Sequence, residues 1–119
     1  MARSAPTIDS YGGGGFRLSG AWREGSLLIV ADEPRTWEVA SLAEVTPQSL
    51  APVFAVGHAE IEFLLMGVGA ANALPPREVR DSLRAAGIGL EFMDTAAAAR
   101  LYNVLTSEGR RIAAALIAV

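Results

Sequence analysis

The residues best spaced to hold a ligand are Gly67-Val68-Gly69 behind an apolar run, with Asn72 just beyond and Asp94-Thr95 after the next apolar run. Two glycines at the end of a buried strand let a backbone approach an anion, and Glu91 follows about 20 residues later, where a dinucleotide fingerprint places its ribose ligand. The match fails in detail. Asn72 stands where a third glycine is required, and Ala73-Leu74-Pro75-Pro76 delays the helix, so its positive end cannot rest on a pyrophosphate held by Gly67 and Gly69. NAD is rejected, and no cofactor is assigned. What remains is geometric. If the strands ending at Met66 and Phe92 are parallel neighbours, their following loops meet at one sheet edge, where α/β proteins form ligand crevices. Gly67, Gly69, Asn72, Asp94, Thr95, Arg100 and Asn103 are then a candidate crevice for a small molecule or anion, with no catalytic residue among them. The competing reading is structural: the glycines turn the chain and Asp94 caps a helix.

Other constellations are weaker. His58 is the one histidine and there is no cysteine, so a His-Cys zinc site or a two-His facial triad is impossible and no metal is assigned. No Gly-x-Ser-x-Gly elbow accompanies His58 as a hydrolase would require. Glu60 and Glu62 flank Ile61 and are expected in solvent. Arg77, Arg80 and Arg84 make a stripe on one helix that could engage an acidic partner, but Asp81 lies four residues after Arg77 and favours a solvated, internally paired face. Further on, Arg100, Asn103 and Ser107 share a face by spacing of three and four, opposite a core face of Ala97, Leu101, Val104 and Leu105, with Tyr102 at the rim. That polar face is read as solvated, with an anion or a carboxylate at Arg100 as the alternative. The tract Gly12-Gly13-Gly14-Gly15 leads into extended Phe16-Arg17-Leu18, so it is a turn rather than a phosphate cradle.

The elements that must position these residues follow from periodicity. Ile8, Tyr11, Phe16 and Leu18 make a hairpin around the glycines; residues 26–30 are a buried strand, and Asp32 to Pro34 turns into the alternating Thr36-Trp37-Glu38-Val39. Thr46-Pro47 starts a helix reaching about residue 56, with Pro52 shortening or breaking it. Residues 61–66 are the expected central strand, Val79, Leu83 and Ala86 mark a helix closed by Gly87, residues 88–92 are the next strand, and Asp94 caps a helix over 95–108 ended by Gly109. Residues 112–119 fit either a continuing helix or a buried strand, and the strand is preferred. At 119 residues, 51% of them hydrophobic, the chain fits one domain over 1–119. All ten basic residues are arginine and the net charge is −3, a composition without the cationic footprint of a nucleic-acid binder. No apolar stretch approaches the ~20 residues of a membrane helix, and Met1 to Ser10 lacks an apolar leader region, so the expected location is cytoplasmic, without membrane insertion.

Ile8-Asp9-Ser10-Tyr11, Gly14-Gly15-Phe16-Arg17, Gly25-Ser26-Leu27-Leu28, Leu64-Leu65-Met66-Gly67-Val68-Gly69, Met93-Asp94-Thr95, Tyr102-Asn103-Val104-Leu105 and Glu108-Gly109-Arg110-Arg111 follow one another over nearly the whole chain. In that order they resemble a small family of unknown function, one that includes a mitochondrial respiratory complex I assembly factor and an adipogenesis-associated vertebrate protein. The resemblance implies an α/β, three-layer domain: a mixed central sheet of about five strands, flanking helices and a small extra β layer. It also implies that residues 111–118 form a strand antiparallel to most of the sheet. It brings no reaction and no catalytic residue. Two functions therefore stand at this point: a non-enzymatic protein-interaction or assembly-factor-like module, favoured by the missing catalytic constellation, and a small-ligand protein or enzyme built on the candidate crevice.

Overall fold

The computed structural model describes residues 5–119, so the leader reading of Met1 to Ser10 lies partly outside the described residues. The first three strands, β1 (Ile8–Gly12), β2 (Gly15–Leu18) and β3 (Ala21–Glu24), form a small antiparallel sheet in that order. Gly13 and Gly14, both at positive φ, make the expected turn, setting Tyr11 opposite Phe16. Strand β3 has no counterpart in the sequence reading, because Ala21-Trp22-Arg23-Glu24 carries no apolar alternation; it pairs along β2 from Gly15 to Leu18, and Gly15 leaves room for the Arg23 carbonyl and for the Trp22 indole, whose ring a Cβ would meet at 2.7 Å.

The remaining strands are β4 (Ser26–Val30), β5 (Glu33–Trp37), β6 (Phe63–Gly67), β7 (Gly89–Met93) and β8 (Ile112–Leu116), in a mixed sheet of order β5-β4-β8-β6-β7. Strand β6 is interior but not central. The middle place belongs to β8, whose Ala113, Ala114, Ala115 and Leu116 are all fully buried; its small side chains suit a position with layers packed on both faces. Residues 112–116 are a strand, yet the direction implied by the family resemblance is corrected. Strand β8 runs parallel to β6, β6 runs parallel to β7, and the strand opposing its neighbours is β4.

Alternation along these strands divides the core into two layers. Leu28, Val30, Leu64, Met66, Ala113 and Ala115 point to one face, which is covered by α1 (Ala51–Val56) and α2 (Arg77–Ala85). Leu27, Ile29, Leu65, Ala114 and Leu116 point to the other, which is covered by α3 (Thr95–Ser107) and by Ile8, Phe16 and Leu18 of the small sheet. Ahead of α1, a 3-10 turn at Gln48–Leu50 precedes Pro52, which sits in the first turn of α1, where its missing N–H costs nothing. The buried stripe of α3 is Thr95, Ala98, Ala99 and Tyr102, displaced from the expected Ala97, Leu101, Val104 and Leu105. Val104 is 52% exposed, and Tyr102 is fully buried rather than at a rim. Two alanines on the inward face let the helix approach the sheet closely, and the bulk is supplied by one tyrosine instead of a row of leucines.

Candidate functional site

Strands β6 and β7 are adjacent and parallel, with Met66 paired to Phe92 and Gly67 to Met93, so the loops beyond them do meet at one sheet edge. The residue joining them is Thr95. Its backbone amide donates to the Gly69 carbonyl at 2.8 Å, its Oγ1 accepts from the Gly69 amide at 3.0 Å, and the same hydroxyl donates to the Ile117 carbonyl at 2.8 Å. Ile117 in turn donates its amide to the Gly67 carbonyl at 2.9 Å. Gly67 is a glycine for contact, since a Cβ there would stand 3.0 Å from Thr95 Cα, Thr95 Oγ1 and Leu116 Cδ2. Thr95 itself is fully buried. Gly67, Gly69 and Thr95 are thus brought together in a seam whose polar groups answer one another.

Asp94 adjoins this seam and accepts the Ala97 amide on Oδ1 at 2.9 Å, the helix cap of the structural reading. Asn72 is exposed in the loop after β6. Arg100 and Asn103 do not join the others, and they do not form a merely solvated face. Asn103 Oδ1 accepts from the Ile8 amide at 2.9 Å while its Nδ2 donates to the Ile8 carbonyl at 2.8 Å, so one side-chain amide pairs with β1 as a strand residue would. Arg100 Nη1 donates to the Tyr11 hydroxyl at 2.9 Å. Both residues therefore bind the small sheet to α3.

Residues 8–117 match the protein family described as "Protein of unknown function (DUF498/DUF598)". The chain belongs to this family. Among its relatives, an uncharacterised protein of Rhodobacter capsulatus is 41% identical over 114 residues, 92% of this chain and 82% of that protein. The NADH dehydrogenase [ubiquinone] 1 alpha subcomplex assembly factor 3 of Danio rerio is 34% identical over 116 residues, 98% of this chain; the chain spans 66% of that protein's length. A crystal structure described as an outer membrane protein from Bartonella henselae superposes with a TM-score of 0.90 at 32% identity, covering 100% of this chain and 99% of that one.

In this family member the same sheet edge carries a cavity that sequence reasoning missed. It has a volume of about 380 Å³ and lies where β4 begins and β5 ends, between Ser26, Trp37, Val39, Glu44 and Ala118. Buried Ser26 accepts the Ala118 amide on Oγ at 2.9 Å, and Trp37 Nε1 donates to the Ser49 carbonyl at 2.9 Å. The sequence signal was slight: Ser26 opens one run read simply as strand, and Trp37 lies within the alternating run 36–39. At the opposite end of β6, Glu62 accepts from Arg110 Nε at 3.0 Å and from the Arg111 amide at 2.9 Å. The Arg111 amide, then the Arg110 side chain and the charges of both arginines, hold this carboxyl below its ordinary value against some desolvation. Arg77 pairs with Asp81 at 3.7 Å on the exposed face of α2, as its spacing suggested; Arg84 joins the same carboxylate at 3.6 Å, and Arg80, half-buried, donates from Nε to the Pro75 carbonyl at 3.0 Å. Among the described residues, no group of three or more His, Cys, Asp or Glu could hold a metal ion, and no helix is long and apolar enough to cross a membrane.

Proposed function

We propose that the chain is a non-enzymatic protein-interaction module of the assembly-factor kind, acting in the cytoplasm as one domain, with protein rather than nucleic acid as its partner. The observation that carries this reading is a surface on α3 and β1. Arg100 bridges to the hydroxyl of Tyr11, which is 37% exposed, and Val104, one turn further along α3, is 52% exposed. Aromatic, arginine and aliphatic groups at one place are the composition that protein interfaces concentrate. The assembly-factor name of the Danio rerio relative supports a protein partner in the same sense. Affinity capture with the purified chain tests the reading: a partner recovered reproducibly by the wild type and lost with Val104→Glu, at unchanged melting temperature, is the expected outcome. Failure to recover any reproducible partner overturns it.

A second reading, a small-molecule or anion site at the C-terminal edge of the sheet around Gly67, Gly69, Asn72, Asp94 and Thr95, is favoured by the parallel pairing of β6 and β7 and by the neighbouring cavity. A thermal-shift screen with phosphates and carboxylates addresses it, because a ligand at a hundred times its Kd stabilises by about 2.7 kcal/mol. An unmoved melting curve throughout the screen removes this reading.

A further inference from the structure

The two edges of the central sheet are finished differently. Strand β5 carries Pro34 between Glu33 and Arg35, features that discourage another strand from pairing. Strand β7, at the other edge, has neither a proline nor a bulge, and its one charged residue, Glu91, lies on the face away from Leu90 and Phe92. The Met93 carbonyl accepts the Val68 amide at 2.9 Å on the β6 side; alternation along the strand then directs the amides and carbonyls of Leu90 and Phe92 out of the free edge. Beside that edge runs a groove of about 270 Å³ lined by Arg80, Leu83, Arg84, Ile88, Leu90 and Phe92. Its floor is apolar, and its lining holds two arginines and no carboxylate; Arg84 Nη1 also faces Asp81 at 3.6 Å and Arg80 Nε donates to the Pro75 carbonyl at 3.0 Å, which leaves each guanidinium further N–H groups for an acceptor.

We propose that β7 accepts an added strand: an extended segment of a partner protein pairs with Leu90 and Phe92 and presents to the groove, from residues two apart on one face, an apolar side chain for its floor and a carboxylate for Arg80 and Arg84. Strand addition takes affinity from main-chain hydrogen bonds and specificity from the pockets beside them, and here both lie side by side. The charge of the groove selects an acidic occupant. It also argues against a second copy of this chain. The antiparallel register that pairs Leu90 with Phe92 of another copy places Glu91 against its own counterpart and brings the α2 arginines of both copies together. This inference rests on the interaction-module reading and names a partner class for it, at a surface separate from Tyr11, Arg100 and Val104.

Selection of a phage-displayed random peptide library on the immobilised chain tests it. Enriched peptides should carry Asp or Glu two residues from an apolar residue, so that both reach one face, and when synthesised they should shift the NMR amide signals of Leu90 and Phe92. Arg84, whose side chain is 78% exposed, can be reversed with little effect on folding. Arg84→Glu should weaken those peptides about tenfold or more, whereas Arg84→Lys retains most of the affinity. No enrichment, enrichment without acidic bias, amide shifts confined elsewhere, equal binding by Arg84→Glu, or a concentration-dependent dimer through the same amides each overturns the proposal. If selection fails while the chain still captures a partner that Val104→Glu loses, the groove alone is refuted; if capture fails as well, so is the module reading.

Discussion

Both ends of β6 are tied to β8, and the two knots are made of different material. Beyond the C-terminal end, the neutral, fully buried hydroxyl of Thr95 links the Gly69 amide to the Ile117 carbonyl. At the N-terminal end, the carboxylate of exposed Glu62 takes the Arg111 amide and the Arg110 guanidinium, while the Glu62 amide donates to the Arg111 carbonyl at 2.7 Å. Water can replace what Glu62 supplies, so its net contribution is small. At the Thr95 seam the hydroxyl and the Ile117 carbonyl are buried, and removing one of them leaves the other with its desolvation uncompensated. The lesson is that similar numbers of hydrogen bonds do different work depending on what stands ready to substitute for them.

Gly67→Val is the most damaging way to break the contrast. Its branched side chain would have to enter space 3.0 Å from the Thr95 backbone, which cannot move without shifting the start of α3. A loss of about 3 kcal/mol is expected from overpacking, read as a fall of the melting temperature on the order of 10 °C. A variant that melts with the wild type would mean that the seam opens cheaply and that the contrast is mistaken. Thr95→Val comes next, since it keeps the shape and removes only the hydroxyl. The Gly69 amide and the Ile117 carbonyl lose their partner, at an expected cost of about 2 kcal/mol in chemical denaturation. Thr95→Ser, which keeps the oxygen, should recover much of that; equal losses for Val and Ser would assign the effect to packing.

How far this arrangement could be read in advance depended on whether its cause was local. Asp94 as a cap and Gly87 and Gly109 as helix ends were legible because capping and positive φ are settled within a few residues. The parallel meeting of β6 and β7 was legible as a condition, from the strand-helix-strand pattern between them. The double use of the Thr95 hydroxyl was not, because its partners lie 26 and 22 residues away. Asn103 was read as solvated for the same reason: its partner Ile8 is 95 residues distant. The stripe of α3 was misplaced because Leu101, Val104 and Leu105 outweigh Ala98 and Ala99 in hydropathy, whereas a helix lying close on a sheet selects for small size. The five-stranded mixed sheet with a small β layer came from the family resemblance, and the direction of β8 within it was mistaken, since strand pairing leaves no period in a chain of alanines.

The exposed knot offers the smallest effect and the sharpest sign. Glu62 titrates below its ordinary value of 4.5, chiefly because the Arg111 amide bonds the ionised form, with Arg110 and the charges of both arginines adding to it. A carboxyl lowered in the folded state binds fewer protons there than in the unfolded chain. Its contribution is therefore present above pH 4.5 and is lost as pH falls through the lowered folded value. Glu62→Gln removes that dependence. Urea titrations of both chains should give the wild type a modestly higher midpoint at pH 7, a difference that closes as the pH falls below 4.5 and that added salt also narrows. The Thr95→Val deficit, carried by groups that do not titrate, should stay level over the same acid range. Were the Glu62→Gln difference to stay level too, the charge of Glu62 would contribute nothing, and the two ends of β6 would differ in burial alone.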